Sequence, residues 1–172
     1  MKYSWVTLLS VSLISFSPNV IAGNCPVFIG ELQDRPAQVN IYPGLGVALN
    51  FIPIGTVQKI WLDDPSRIVL SFDGNLCSVS ENSNCSQQEG ATVVHLRQIK
   101  AIEFPNIIRS ADGSTMLTVI VSGGGGRNLY QFRLIPTRKT SNIPPCTTFT
   151  ILPDSYRPTP QVFQQSHFTP TP

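Results

Sequence analysis

Ionisable side chains are scarce in this sequence. Asp, Glu, Lys and Arg together make up 13% of the 172 residues, there are two histidines, and the formal net charge is +2. Such a balance exerts no electrostatic pull toward nucleic acid or anionic lipid. No Cys-x-x-Cys pair occurs, and only His95 and His167 could complete a donor set with the cysteines, so the spacing of a zinc site is missing. His95 has no Ser-x-Gly nucleophile context, which leaves a catalytic triad unsupported. Sustained helical periodicity is also absent beyond the first two dozen residues.

What is present begins with an export signal. Lys2 gives a minimal positive start, residues 5–16 are apolar and interrupted by serines, and Val20-Ile21-Ala22 offers small residues at the usual cleavage positions. That stretch is shorter than the roughly 20 residues a membrane-spanning helix needs. The reading is a signal peptide over residues 1–22, with cleavage after Ala22 and no integral membrane segment afterwards. Lipidation at Cys25 is disfavoured, because Asn24 separates it from the small pair that a lipoprotein signal places directly before cysteine.

Four cysteines in an exported chain favour disulfides, with three possible connectivities. Cys77 and Cys85 flank a short polar loop and most simply pair with each other. Cys25 and Cys146 would then clamp the start of the domain to its end.

Period-two alternation recurs along the chain. The stretch over residues 57–72 carries two such runs around Asp63-Asp64-Pro65-Ser66, with Ile68, Leu70 and Phe72 on one face of the second. Only an extended strand puts alternate residues on one side, so this stretch reads as a hairpin or as two sequential strands of one sheet. Val39 and Ile41, then Val47, Leu49 and Phe51, form two shorter runs joined by Gly44-Leu45-Gly46. Asp73-Gly74 signals a type I′ turn. Val94 and Leu96 share the inner face of another strand, and a weak strand is expected over residues 99–104. Residues 116–121 are apolar on both faces, which suggests a strand covered on both sides. Tyr130, Phe132 and Leu134 alternate inward on the next. Residues 23–36 read as irregular.

These seven or eight short strands predict an all-β fold, an antiparallel β-sandwich, over residues 23–150 with its core between 37 and 135. Eight of the 15 prolines fall after residue 135. Residues 151–172 therefore read as a Pro-rich disordered tail in which Tyr156, Phe163 and Phe168 are candidate partner contacts.

Four glycines at 123–126 suggest a phosphate cradle, but a strand and not a helix follows them, so a hairpin is expected. Asp63 and Asp64 are adjacent carboxylates, yet neighbours on a strand point apart, so turn chemistry accounts for them better than acid–base work. Trp61 reads as a core aromatic, with sugar stacking as the functional alternative. Asn84-Cys85-Ser86 matches a glycosylation sequon that Cys85 would obstruct if bonded. No catalytic, cofactor-binding or metal-ligating set emerges, and no cofactor is expected.

The ordered motifs Val57-Gln-Lys-Ile-Trp-Leu-Asp-Asp-Pro-Ser-Arg-Ile, Val94-His-Leu-Arg-Gln-Ile, Ser114-Thr-Met-Leu-Thr-Val and Arg127-Asn-Leu-Tyr-Gln-Phe-Arg-Leu resemble a known pattern. It is that of the N-terminal β-sandwich of TraK/TrbG-type components of conjugative type IV secretion systems. The resemblance spans about residues 37–135. It implies a periplasmic, non-catalytic structural subunit of an outer-membrane-associated complex, working through contacts with other envelope proteins. Trp61, Asp63, Asp64, Leu117, Arg127, Tyr130 and Phe132 would be structural in that setting. Members of the family usually carry a second β domain; a Pro-rich tail stands in its place here, which points to an accessory or truncated version and away from pore building, and the pattern does not explain the cysteines. A cell-wall glycan-binding module, which needs exposed aromatics, is the alternative function, and an exported enzyme is a weaker third.

Overall fold

The structure is a computed structural model and describes residues 23–76, 90–137 and 146–158. The proposed signal peptide, Cys77, Cys85, Asn84, Phe163, Phe168 and His167 lie outside the described residues.

Nine strands form two stacked sheets among the described residues. In chain order they are β1 (Asn24–Phe28), β2 (Ala37–Ile41), β3 (Gly46–Asn50), β4 (Thr56–Leu62), β5 (Ile68–Phe72), β6 (Val93–Gln98), β7 (Thr115–Gly123), β8 (Gly126–Pro136) and β9 (Thr148–Leu152). A single-turn-and-a-half helix, α1 (Ile29–Asp34), links β1 to β2. One sheet has the order β1-β9-β3-β6-β5 and the other β2-β8-β7-β4. The alternation that marks each strand in the sequence is the inner-face pattern of this sandwich: Val47 and Leu49, Val94 and Leu96, Leu117, Val119 and Val121, and Phe132 and Leu134 are all buried. Phe51 and Phe132 meet edge to face across the core, with ring centroids 6.0 Å apart.

Several expectations need correction. The sheets are mixed, not purely antiparallel, because β1 and β3 both pair in parallel with β9, and β2 pairs in parallel with β8. Consecutive strands repeatedly change sheets, so the neighbours within a sheet are often distant in sequence. The 57–72 stretch is not a hairpin or a pair within one sheet: β4 and β5 belong to different sheets, and residues 63–66 arch between them. That arch uses the turn chemistry read from its sequence, with Ser66 N–H donating to Asp64 Oδ1 (2.8 Å) and Asp64 N–H donating to Thr115 Oγ1 (2.8 Å). Alternation shows which face a side chain occupies and says nothing about which strand lies alongside.

Residues 23–36 are not irregular, since β1 and α1 lie there; Pro26 is tolerated because β1 is an edge strand. Residues 99–104 carry no strand. Only one face of β7 is fully buried, while Met116, Thr118 and Ile120 are half-covered on the outer face. No type I′ turn forms at Asp73-Gly74; the Asp73 carboxylate instead accepts from Thr92 N–H (2.7 Å), Thr92 Oγ1 (2.6 Å) and Val93 N–H (2.8 Å), tying the end of β5 to the start of β6. The folded chain also passes residue 150, because β9 continues to Leu152 and a 3-10 turn follows at Asp154–Tyr156.

Candidate interaction site

The connection between β6 and β7 departs most from what a soluble surface usually shows. Its first half is stitched to the inter-sheet arch, with Ile99 N–H donating to Arg67 O and Ile102 N–H to Ser66 O, each at 2.8 Å. The Arg109 guanidinium donates back to Ile102 O at 2.8 Å, which closes the loop on itself. Its base is held by Asp112. That carboxylate accepts from the Ser114 hydroxyl (2.7 Å), from Ser114 N–H (3.0 Å) and from the Arg133 guanidinium (2.5 Å), while Arg133 Nε also donates to Ser114 Oγ (3.1 Å). The Ser110 hydroxyl donates to Ser114 O. Hydrogen bonds from Ser114 are the main cause that holds the Asp112 carboxyl well below the usual carboxylate range, and the Arg133 charge adds to them.

Between these two braces the side chains face water although they are apolar. Ile108 is 97% exposed, Ile102 50% and Phe104 40%. Scattered exposed apolar residues are ordinary; three on one hydrogen-bonded loop make it the candidate for contact with another molecule. Ile108 also lines an open cleft of about 310 Å³ together with Asp63, Asp64, Ser110, Ser114, Met116 and Arg133. The cleft joins the loop to the outer face of the four-stranded sheet, where Met116 sits one row from Trp61.

The structure disperses the residues singled out in the sequence. Leu117, Tyr130 and Phe132 are buried in the core, and burial pushes the Tyr130 hydroxyl pKa up. Trp61 is not a core residue: it is 47% exposed on the outer face of edge strand β4, with Lys59 Nζ 5.8 Å from its ring centroid. Asp63 and Asp64 both line the cleft, but Asp64 is engaged in the arch. Arg127 is exposed at the β7–β8 hairpin, whose two central residues are Gly124 and Gly125, as the glycine run suggested. Tyr156 is exposed on the 3-10 turn. Cys25 and Cys146 are disulfide-bonded, with Cα atoms 5.7 Å apart, which fits an oxidising compartment.

Among the described residues no three His, Cys, Asp or Glu side chains converge as metal ligands would, and no helix is long and apolar enough to cross a membrane. His95 lies half-buried on the outer face of β6 against Gly46, where an added Cβ would stand 2.2 Å from its Nε2. The exposed loop was not evident from sequence because Ile102 and Phe104, two apart, read as part of a weak strand, and a short apolar pattern does not show whether its residues face the core or water. The signal available was the apolar cluster interrupted by Pro105, which argues against a continuous element. Neither a model of a known protein family nor a curated protein matches the chain.

Proposed function

We propose that this chain is an exported, non-catalytic β-sandwich that assembles with other cell-envelope proteins by docking through the 102–108 loop. A periplasmic location and a role like that of the TraK/TrbG-type components rest on the sequence resemblance and the export signal. The observation that carries the docking role is Ile108, held almost wholly in water on a loop braced at both ends. A braced apolar loop loses little conformational freedom on binding, which favours recognition of a partner of matching shape.

The test is cross-linking in intact envelopes followed by purification of the tagged chain. An Ile102→Ser, Phe104→Ser, Ile108→Ser variant should keep its thermal midpoint, since exposed substitutions usually shift stability by less than about 0.5 kcal/mol. It should also lose the cross-linked proteins that the wild type captures. An unchanged cross-linking pattern would refute docking through this loop.

A glycan-binding module remains the second reading because Trp61 is exposed. It is the weaker one, since a stacking site needs exposed aromatics, and Tyr130 is buried while Lys59 already lies over the Trp61 ring.

A further inference from the structure

Among the described residues, strand β4 is the outermost strand of its sheet, hydrogen-bonded to β7 on one side only. The direction of its free backbone groups follows from one bond. Asp63 N–H donates to Met116 O at 3.1 Å, in register with the pairs Trp61↔Thr118 and Lys59↔Ile120. Antiparallel pairs alternate between bonded and non-bonded. Lys59, Trp61 and Asp63 therefore turn their backbone groups toward β7, while Ile60 and Leu62 turn theirs to the open edge. A bulge between Val57 and Lys59, with Val57 N–H donating to Ala91 O at 2.7 Å, closes the upstream end. Pro65 closes the downstream end. Among the described residues a short free edge remains at residues 59–62.

The side chains on this edge are self-complementary about Trp61. Lys59 lies two residues before it and Asp63 two residues after, all three exposed on the outer face. Neither Lys59 nor Asp63 has an ion-pair partner among the described residues. We propose that β4 pairs antiparallel with β4 of a second copy of this chain, around a two-fold axis through Trp61. In that register Ile60 stands opposite the partner's Leu62, so the groups already turned to the edge form both bonded pairs. Trp61 faces the partner's Trp61 in a non-bonded pair, where side chains approach most closely. Lys59 faces the partner's Asp63, and the two-fold axis repeats that ion pair. A shift of two residues either way loses both ion pairs, so charge selects this register. The two sheets then run on as one of eight strands. Edge strand β5, on the same side of the sandwich, has no charged side chain to select a register.

Purified chain tests this without any other protein. Sedimentation across a concentration series should show a monomer–dimer equilibrium. Trp61 is the only tryptophan in residues 23–172, so its emission should shift to the blue as the dimer forms. Lys59→Asp sets like charges against each other at both ends and should raise the dimer dissociation constant by about tenfold or more. Adding Asp63→Lys restores both pairs with signs exchanged and should recover most of the loss. Both side chains are exposed, and circular dichroism confirms that each variant folds. A wild type that stays monomeric, a dimer that leaves Trp61 emission or Lys59→Asp affinity unchanged, or a double reversal no better than the single one would overturn the proposal. Each such failure leaves loop docking standing, because that reading is measured in envelopes through other residues.

Discussion

Two surface aspartates, Asp73 and Asp112, join segments that secondary structure leaves apart. Asp73 binds the start of β6, and Asp112 binds Ser114 and Arg133 at the foot of the β6–β7 connection. Both carboxyls sit below the ordinary value of 3.8. For Asp73, partial burial works in the opposite direction and is outweighed by the bonds from Thr92 and Val93; for Asp112, the Ser114 bonds lead. A carboxyl whose folded pKa is depressed contributes stability above its unfolded pKa and loses it as pH falls through the folded value. Asp73→Asn should therefore lower stability by about 1 kcal/mol at neutral pH, and Asp112→Asn should lower it as well. For both, the gap to wild type should close as pH drops below 3.8, as read by urea unfolding at a series of pH values. A gap that holds constant into strong acid would show that the charge is not what matters. Asp73 read as a plain turn former in sequence; the partners of both aspartates lie up to 21 positions away, beyond the reach of local pattern.

At the level of elements, α1 is too short to be stable alone, and it is held by the chain's other end. Asp154 Oδ2 accepts Gly30 N–H at 3.0 Å, Arg157 pairs with Glu31 (3.1 Å) and with Asp154 (3.1 Å), and its guanidinium lies 4.5 Å from the Phe28 ring centroid. A Cβ at Gly30 would stand 2.9 Å from Asp154 Oδ2, so the carboxylate, at the end of a flexible side chain, would swing aside and give up its bond to Gly30 N–H. Gly30→Ala should therefore cost about 1 kcal/mol, against the gain expected for a helix interior. Amide exchange should speed up at both α1 and β9. The contact that shapes Gly30 was not legible in the sequence, because Asp154 lies 124 residues on.

For the molecule as a whole, closure comes from β9. It inserts between β1 and β3, completing one sheet with a strand from the far end of the chain, and Ile151 is fully buried in the core. The Cys25–Cys146 bond ties the start of β1 to the approach to β9 across a separation of 121 residues. Replacing both cysteines with serine should cost about 2–5 kcal/mol in the chain-entropy picture. Denaturant unfolding of the double variant checks this, and a midpoint equal to that of the wild type would show that β9 holds without the bond.

The strands from β2 to β8 were legible, because alternation is a local property and burial of one face demands it. Strands β1 and β9 were not, since Pro26 and the Pro-rich surroundings of residues 148–152 mask short strands whose pairing is with each other. Tyr130, Phe132 and Leu134 point inward as their spacing indicates, and the glycine run turns β7 into β8. The all-β class and the pairing of Cys25 with Cys146 followed from pattern and position. Strand partners did not, since backbone hydrogen bonds carry no side-chain signature, and β4 and β5 could part into separate sheets under the same sequence. Exposure of Trp61 and Ile108 was likewise decided by where β4 and the 102–108 loop come to rest. An edge and a braced loop are places in an assembled sandwich, and a residue's chemistry is indifferent to whether it will occupy one.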